Sequence, residues 1–419
     1  MKNIYSSIDI GTDAIKVVVA ELYQNKLNLL AATSVKSQGI KKGLIYDVEL
    51  AKSALQKAFY EIEEMLGFKI KQVICTIPSY YANFTLVTSS LAIDATIDNE
   101  PGEIEGSDIS AILKRASYTR KNPDEEVVAT LPIDFKIDNK VVVKSPLGIP
   151  ASKLDVRAIS VTVPKKNIYS VVNLIESMNI TVKDVSITGI GDMYAFKNKE
   201  FDKKIGAIID IGSETTTVSL YNKGVTVKTS ILGLGGKNID NDLCYIYKLN
   251  SNVATNVKEK FALAHKRFAK AGEIYEVANN EKETIKISQV EASEVVMARL
   301  TEIMKLAKKE IRSLTNREID YILVTGGTTN MTNFNSILTE TLGRSATIGN
   351  MKLIGVRNNA FSVCVGNIVY YISKLKLLGI RDTMVNEDDI YYMTSATGGI
   401  NGTSNETMLG KVFGYFFNE

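Results

Sequence analysis

A short apolar run at 207–211 is distinctive because it contains one charged residue, Asp210, and breaks at Gly212. A polar turn follows, and then a β-branched run at 216–220. Two short apolar runs that flank a tight polar turn predict a β-hairpin. An aspartate at the end of a buried strand is costly unless it is paired or serves a cation, although a single copy of this pattern is typical of an ordinary hairpin.

The same pattern occurs near the N-terminus. Placing Asp9 on Asp210 aligns Ile-Asp-Ile-Gly at 8–11 with Ile-Asp-Ile-Gly at 209–212, and a polar turn and a β-branched run follow in both copies. A duplicated hairpin is far less expected by chance than either copy alone. Glycines let a backbone approach a phosphate, and turn N–H groups with hydroxyls can surround its oxygens. Two such turns facing each other would hold a phosphate chain, with the aspartates holding Mg²⁺ through waters.

A third element, at 321–328, is an apolar run that leads into Gly326, Gly327 and Thr328. Adjacent glycines at the carboxyl end of a strand let a flat ring system approach the backbone. The rest of the periodicity predicts further strands at 27–34, 72–78, 84–93, 154–163 and 182–188, and helices at 47–66, 103–118, 164–179, 256–270, 288–314 and 361–378. Strands that alternate with helices predict an α/β protein.

Length, charge and rare residues narrow the classes of function. The chain has 419 residues, so we expect two or more domains, and a net charge of +3 gives no case for a nucleic-acid partner. The 3 cysteines are widely separated and indicate a reducing compartment. The single histidine, His265, argues against a Ser-His-Asp triad or a histidine metal site, and we expect it on the surface of a helix. No signal peptide is expected, and no apolar run approaches the roughly 20 residues that span a bilayer, so the body is predicted to be cytoplasmic.

The two Asp-Ile-Gly hairpins and the later Thr-Gly-Gly-Thr resemble the ATPase superfamily of actin, heat-shock chaperones and sugar kinases. Within it, the segment 127–164 resembles the bacterial cell-division FtsA family. The matching features are a proline after a strand at 131–132, a polar hairpin at 138–140, a Pro-x-Gly-x turn at 146–150 and Leu-x-Val at 154–156. Segments 171–195, 233–243 and 358–371 extend the resemblance over nearly the whole chain.

The resemblance implies an actin-like two-lobed ATPase fold, an α/β architecture of duplicated ribonuclease-H-like domains, with a small α+β subdomain inserted in the first lobe. The implied division is a first-lobe core at 1–83 and 164–200, the inserted FtsA-type subdomain at 84–163, a second-lobe core at 201–249 and 317–380, a smaller second-lobe subdomain at 250–316, a linker at 381–407 and an amphipathic helix at 408–419.

The resemblance also implies that ATP and Mg²⁺ bind between the lobes. Asp9 and Asp210 would hold the waters of the metal ion and are the candidate catalytic residues. Carried over by position, the nucleotide contacts are Gly11, Thr12, Asp13 and Lys16 in the first phosphate turn, Gly212, Ser213, Glu214, Thr215 and Thr216 in the second, Gly235 and Gly236 near the phosphates, Lys258 by the ribose, and Gly326, Gly327 and Thr328 at the adenosine.

Three positions depart from the family pattern. Glu214 lies in a turn that is usually Gly-Gly-Thr-Thr, and its carboxylate would repel a γ-phosphate unless it points to solvent or reaches the metal. Thr255 replaces the acid of an Ala-Glu-x-x-Lys motif, and Gly191 with Asp192 replaces a more usual Ala-Ser. We therefore expect ATP binding with at most slow hydrolysis.

The segment 408–419 has one apolar face and follows a polar stretch at 381–407. The apolar face includes Leu409, Val412, Phe413, Phe416 and Phe417. A helix about 18 Å long is too short to span a membrane but long enough to lie in its interface. Docking on the protein body is the alternative, and the polar stretch argues against it. One lysine and two glycines weaken a single tail, so we expect many tails to act together in a polymer.

By its resemblance the chain is expected to be an ATP-binding scaffold that polymerises on the cytoplasmic face of the cell membrane at the division site. The implied partners are the C-terminal tail of the tubulin-like FtsZ, an anionic membrane surface, further copies of the chain and other division proteins. The FtsZ tail would bind at 250–316, with basic helices around 266–270 and 299–309 as candidates. The alternatives are a pilus-assembly homologue like PilM, which lacks the tail, and a sugar-kinase-like phosphotransferase, which needs a base in the cleft and a sugar pocket.

Overall fold

The computed structural model of the chain describes residues 3–94, 101–118, 122–353 and 355–385. In chain order the strands are β1 (Asn3–Ile10), β2 (Ala14–Tyr23), β3 (Lys26–Lys36), β4 (Ile40–Lys41), β5 (Leu44–Ile45), β6 (Gln72–Ile77), β7 (Asn83–Ala92), β8 (Gly102–Glu103), β9 (Glu125–Ile137), β10 (Val141–Val143), β11 (Pro150–Ala151), β12 (Lys153–Pro164), β13 (Thr181–Ile187), β14 (Ile205–Ile211), β15 (Thr216–Asn222), β16 (Val225–Leu232), β17 (Ile274–Ala278), β18 (Thr284–Ser288), β19 (Tyr321–Thr325) and β20 (Ala346–Ile348). The α-helices are α1 (Val48–Leu66), α2 (Gly106–Tyr118), α3 (Lys165–Glu176), α4 (Thr188–Phe196), α5 (Gly236–Tyr247), α6 (Ser251–Asn256), α7 (Gln289–Leu314), α8 (Phe334–Leu342) and α9 (Ser362–Leu378).

The first lobe is built on a five-stranded sheet in the order β13-β6-β1-β2-β3. The hairpin strands β1, β2 and β3 are antiparallel, whereas β6 and β13 run parallel to β1. Helix α1 begins where the Asp47 side chain accepts a hydrogen bond from Leu50 N, and it ends at Gly67 in the left-handed region. Its apolar face packs on the sheet through Leu55 and Ile62.

The second lobe repeats this arrangement. Its sheet has the order β16-β15-β14-β19-β20, with an antiparallel hairpin pair followed by two parallel strands. The strands β14, β15 and β16 therefore take the places of β1, β2 and β3. Helix α7 begins at the cap residue Ser288 and buries Val296, Leu300 and Ile303 in the core of this lobe. The duplication predicted from the paired hairpins is confirmed at the level of the whole sheet.

A separate small unit leaves the first lobe after β6 and returns at α3. It contains a four-stranded antiparallel sheet in the order β10-β9-β12-β7, with α2 against one face. Ile109 and Ile112 of α2 are buried with Phe135, Leu154 and Val156 of the sheet. Residues of β9 and β12, among them Leu131 and Val161, are part of the hydrophobic core of the first lobe. This is the predicted α+β insertion.

Helices α4 and α9 pack against each other between the two sheets. A β-carbon on Gly366 of α9 would lie 1.7 Å from the carbonyl oxygen of Gly191 in α4, so the helices meet backbone to backbone. The core around them joins Tyr5 of the first lobe to Ile208 and Tyr221 of the second. The lobes therefore share a packed hinge.

Residues Asn359–Leu378 are long and apolar enough to cross a membrane by length and composition. The expectation that no run of the chain approaches this length was wrong. Of this segment, 61% is buried inside the protein, where α9 packs on α4 and β1. The apolar composition of α9 is explained by its place in the shared core.

The prediction of a helix at 256–270 was also wrong. Helix α6 and one π-helical turn, Val257–Phe261, end at Ala262. The next backbone N–H groups find partners outside the segment, since Leu263 N donates to Ser293 Oγ at 2.9 Å and Ala264 N donates to a carbonyl in the loop before α8. Tertiary hydrogen bonds here replace the helical ones.

His265 lies in a buried position outside the α-helices, which corrects its predicted place on a helix surface. Its Nδ1 accepts a hydrogen bond from Arg267 N at 3.1 Å, and its Nε2 lies 2.8 Å from a carboxylate oxygen of Glu340. The histidine therefore connects the loop after α6 to α8.

The first residues of the predicted linker, 381–385, pack on the first lobe. Met384 N donates to Ile4 O at 2.9 Å, and Tyr371 Oη donates to Asp382 Oδ2 at 2.6 Å. Met384 and Val385 are buried. The rest of the predicted linker and the predicted helix at 408–419 lie outside the described residues.

We predict that Gly366→Ala destabilises the protein even though alanine favours a helix by about 1 kcal/mol over glycine. The added methyl group would collide with the Gly191 carbonyl, and overpacking of this kind costs about 1–3 kcal/mol or more. Urea unfolding measures the effect. Gly272→Ala is the control, because a β-carbon there meets no atom within 4 Å. Equal unfolding free energies for the two variants would contradict the proposed crowding.

Candidate functional site

A cleft of about 550 Å³ lies between the two sheets. The carboxyl ends of β1 and β6 from the first lobe and of β14 and β19 from the second open into it. Ligand pockets in proteins are commonly about 300–1,000 Å³. The carboxyl ends of parallel strands are also where α/β proteins place their ligands.

The two glycine turns at the cleft have the same backbone geometry. Gly11 N donates to Ala14 O at 3.1 Å, and Gly212 N donates to Thr215 O at 2.9 Å. A β-carbon would lie 2.8 Å from the facing oxygen in the first turn and 3.1 Å in the second. Both turns are therefore as tight as the sequence pattern predicts, and both present backbone to the cleft.

Asp9 and Lys16 are paired across the β1–β2 hairpin. Lys16 Nζ lies 2.9 Å from Asp9 Oδ2. Burial disfavours the lysine charge, but the charge and hydrogen bond of Asp9 outweigh this and raise the pKa of Lys16. In the second copy the position opposite Asp210 is Thr217, so the second hairpin has no lysine that corresponds to Lys16.

Asp210 lies in the same cleft without a cross-strand cation. Burial raises the pKa of Asp210 to about 6; Lys16 lowers it and Asp9 raises it. Gly326, at φ 93°, makes room for this carboxylate, because a β-carbon there would lie 2.2 Å from Asp210 Oδ1. The two aspartates are thus close enough for the charge of one to act on the other.

A third carboxyl group lies behind this pair. Asp192 of α4 is 1% exposed and accepts a hydrogen bond from Ser362 Oγ of α9 at 2.8 Å. Burial, and next the charge of Asp210, raise the pKa of Asp192 well above its usual range. The departure at this position therefore places a carboxyl group, favoured in its neutral form, inside the hinge.

The donor set fits a hydrated cation rather than a directly ligated one. Among the residues described, no group of three or more His, Cys, Asp or Glu side chains is arranged to hold a metal ion. Asp9 and Asp210 nevertheless concentrate negative charge beside one lysine at the strand ends. Mg²⁺ commonly keeps several waters and takes one or two carboxylates, which is the chemistry this arrangement offers.

The other side of the cleft combines a helix N-terminus with a buried ion pair. Gly236, the first residue of α5, donates from its backbone N to Gly212 O at 2.9 Å. Lys258 Nζ lies 2.9 Å from Asp240, and Thr255 lines the cleft beside them. Thr328 Oγ1 donates to Gly212 O at 3.1 Å, which ties the third glycine element to the second turn.

Most residues named from the sequence line this one cleft. They are Asp9, Gly11, Thr12, Asp13, Lys16, Asp210, Gly212, Ser213, Thr215, Gly236, Lys258, Gly326, Gly327 and Thr328. Three do not line it. Thr216 is buried in β15 and donates to Leu234 O, and Gly235 packs beneath the Ser213 carbonyl. The third is Glu214, whose carboxylate contacts the turn between β4 and β5.

Glu214 reaches across the mouth of the cleft. Its Oε2 accepts a hydrogen bond from Lys42 N at 2.8 Å, and next to it Gly43 N donates to Thr12 Oγ1 at 2.8 Å. The turn between β4 and β5 therefore touches both phosphate turns, and we call these two hydrogen bonds the clasp. The carboxylate expected to repel a γ-phosphate is instead turned toward a backbone N–H group.

Several residues that line the cleft lie outside the glycine motifs and were not predicted from the sequence. They are Ser79 and Tyr80 after β6, Asp240 and Glu259 on the second lobe, and Asn358 and Asn359 before α9. The first pair could have been found from topology, because β6 is parallel to β1 and its carboxyl end opens into the same cleft.

Sequence comparisons match two parts of the chain to one family. The model for "Cell division protein FtsA" matches residues 207–366, and the model for "SHS2 domain inserted in FTSA" matches residues 87–162. Cell division protein FtsA of Bacillus subtilis is 27% identical over 381 residues, covering 90% of this chain and 85% of the relative. That of Streptococcus pneumoniae is 25% identical over 401 residues, covering 94% and 86%.

Solved structures show the fold. The PilM–PilN type IV pilus biogenesis complex aligns with a TM-score of 0.56 at 15% identity, covering 89% of this chain and 98% of that one. MreB5 of Spiroplasma citri bound to ADP aligns with a TM-score of 0.54 at 15% identity, covering 90% and 98%. The predicted actin-like ATPase fold is confirmed. The match to the inserted domain accounts for the small unit that contains α2 and the four-stranded sheet.

We predict that Asp210→Asn stabilises the ligand-free protein above pH 6. Because the pKa of Asp210 is raised to about 6, the folded state binds an extra proton between roughly pH 4 and 6, and stability falls as the pH rises through this window. The variant should gain at most about 3 kcal/mol at pH 7, and the gain should vanish near pH 4. Urea unfolding across this range tests the prediction, with the exposed Asp13→Asn as control. A gain that stays constant with pH would contradict it.

Proposed function

Because the chain belongs to the FtsA family of cell division proteins and has an actin-like fold, we propose that it is an ATP-binding scaffold of the division machinery. One observation carries the proposal. Two tight glycine turns from duplicated hairpins, the lysine of the first and the N-terminus of α5 converge on one cleft of suitable size. Tight glycine turns with hydroxyl side chains, together with buried lysines, are suited to a chain of phosphates.

Different residues of the cleft would contact different parts of the nucleotide. The turns at Gly11 and Gly212 would surround phosphate oxygens from both lobes, and Lys16 would offset part of their charge. Asp9 and Asp210 would hold the waters of Mg²⁺, which when bound neutralises phosphate charge. Gly326 and its neighbours would lie against the adenosine, and Lys258, with the carboxylate of Asp240 beside it, would lie near the ribose.

We propose that any hydrolysis is slow. Asp9 is occupied by Lys16, and the chain departs from the family pattern at Glu214, Thr255 and Asp192. ATP would then act mainly as a ligand that joins the two lobes. This fits a scaffold that polymerises better than an enzyme with rapid turnover.

A groove of about 370 Å³ between α5 and α7 is the proposed site for the FtsZ tail. Tyr245 is 88% exposed at its edge, next to the half-exposed Ile246. Arg299 lies in the groove, with Nε 2.7 Å from Asp242 and a further hydrogen bond to Glu302. Three carboxylates, Asp242, Glu294 and Glu302, line the groove with Arg299. The exposed apolar side chains suit a short peptide with an apolar anchor, and an acidic residue of that peptide would replace the acids at Arg299.

The groove includes Arg299 and so keeps one of the two candidates drawn from the sequence, the helix around 299–309. Around 266–270, Lys266 is already paired with Glu294, and the Arg267 guanidinium lies over the ring of Phe268. The groove also takes three of its eight lining residues from α5, which the predicted division assigned to the second-lobe core. An acidic peptide would displace the acids that now pair with Arg299.

We predict that Arg299→Glu weakens binding of a synthetic FtsZ C-terminal tail peptide at least tenfold, because the groove then repels an acidic peptide. Fluorescence anisotropy measures the affinity. Arg312→Glu, on an exposed position farther along the same helix, makes the same change of charge outside the groove and should bind normally. If both variants bound the peptide equally weakly, the effect would be one of net charge and not of the groove. If neither variant bound more weakly, the peptide would not bind in this groove.

We further propose that the segment 408–419 attaches the protein to the inner face of the membrane, with many tails acting together along a homopolymer. The support is its amphipathic pattern, in which three phenylalanines share one face. Attachment at the division site would let the groove hold FtsZ filaments near the membrane.

Deleting 408–419 should release the protein from anionic liposomes while leaving ATP binding unchanged. Sedimentation with ATP present measures attachment, and calorimetric titration measures nucleotide binding. Phe413→Ser with Phe416→Ser should reproduce the loss, whereas Asn418→Ser, on the polar face, should not. Sedimentation of the deleted form to the same extent as the full chain would refute the membrane role.

A further inference from the structure

The strand end of β6 presents a turn to the cleft that the duplicated motifs do not include. Ala82 N donates to Ser79 O at 3.1 Å and closes the turn. Asn167 at the start of α3 donates from Nδ2 to the Tyr80 carbonyl at 2.9 Å. Tyr81 adopts a left-handed backbone conformation, at φ 59°. These hydrogen bonds and the left-handed residue fix the backbone of the turn. As a result, the side chains of Tyr80 and Tyr81 lie in different surroundings.

The two tyrosines differ in exposure and in partners. Tyr81 is 85% exposed, whereas the Tyr80 side chain lines the cleft and its hydroxyl is buried. The Tyr80 hydroxyl has no hydrogen-bond partner among the residues described, and neither has the Ser79 hydroxyl beside it. A buried polar group without a partner costs about 1–3 kcal/mol. Polar atoms of this kind, inside a binding cleft, point to a ligand that is held there.

Tyr80 follows a strand that is adjacent to the strand of the first glycine turn. Strand β6 is adjacent and parallel to β1, which leads into the first turn. Burial raises the pKa of Tyr80, and the nearby charge of Glu214 in the second turn raises it further. At neutral pH the phenol is therefore a neutral donor, close enough to the second turn to feel the charge of Glu214.

We propose that the Tyr80 hydroxyl donates a hydrogen bond to the terminal phosphate of bound ATP and makes the cleft favour a triphosphate over a diphosphate. The inference rests on the proposed function, since it assigns one contact within the same nucleotide site. A phenol that is protonated can only donate to an anionic oxygen, and ADP lacks the phosphate that this donor would reach. Tyr80 is thus a specificity-determining residue.

The test compares Tyr80→Phe with Tyr81→Phe in the full chain. Each variant loses one hydroxyl from adjacent positions of one turn, so they are matched in chemistry and in place. Calorimetric titration with Mg²⁺ gives the dissociation constants of a non-hydrolysable ATP analogue and of ADP. We expect Tyr80→Phe to lower the preference for the triphosphate about tenfold, the size of one hydrogen bond to a charged group. Tyr81→Phe should keep the wild-type ratio.

The ligand-free stability of Tyr80→Phe supplies a second readout. Removing an unpaired buried hydroxyl should leave the melting temperature unchanged or raise it, whereas a merely structural role for the hydroxyl would lower it. If the wild type binds neither nucleotide, the proposed function itself fails and the inference fails with it. If the wild type binds both and Tyr80→Phe keeps the ratio or weakens both equally, the inference alone is overturned.

Discussion

The crowding of carboxyl groups at the carboxyl ends of the central strands is the constraint on which the rest of the structure depends. Asp9, Asp210 and Asp192 lie near a single lysine, in surroundings that burial makes unfavourable for charge. A protein selected for stability alone would replace such a cluster. Because burial disfavours the charged forms of Asp210 and Asp192, the cluster costs the ligand-free protein stability, as is common where residues are kept for function.

The two ends of the cleft are joined by contacts of different strength. At the hinge, α4 and α9 meet backbone to backbone through Gly191 and Gly366, inside a core shared by both lobes. At the mouth, the clasp consists of two hydrogen bonds, and the one between Lys42 and Glu214 is exposed. A typical hydrogen bond contributes only about 1 kcal/mol net. By this comparison the clasp is the weaker of the two connections between the lobes.

The departures from the family pattern have different physical outcomes. The Glu214 carboxylate accepts a hydrogen bond from Lys42 N, and Glu214 is not among the residues that line the cleft. Asp192 is not displaced in this way; it is enclosed by the hinge helices and accepts a hydrogen bond from Ser362. One of these carboxyl groups is therefore held by a loop at the mouth of the cleft, and the other lies where burial favours its neutral form.

The sequence by itself determined the duplicated hairpins, the glycine turns and the α/β class, because each rests on local rules: strand length, turn chemistry and the repetition of Ile-Asp-Ile-Gly. Only the tertiary structure decided where Glu214 points, why the helix predicted at 256–270 stops at Ala262, and which hydroxyls face the cleft. Those outcomes depend on partners distant in the chain, such as Lys42 for Glu214 and Ser293 for Leu263. Spacing along a sequence does not encode such contacts, since chain separation is unrelated to distance once two lobes have folded against each other.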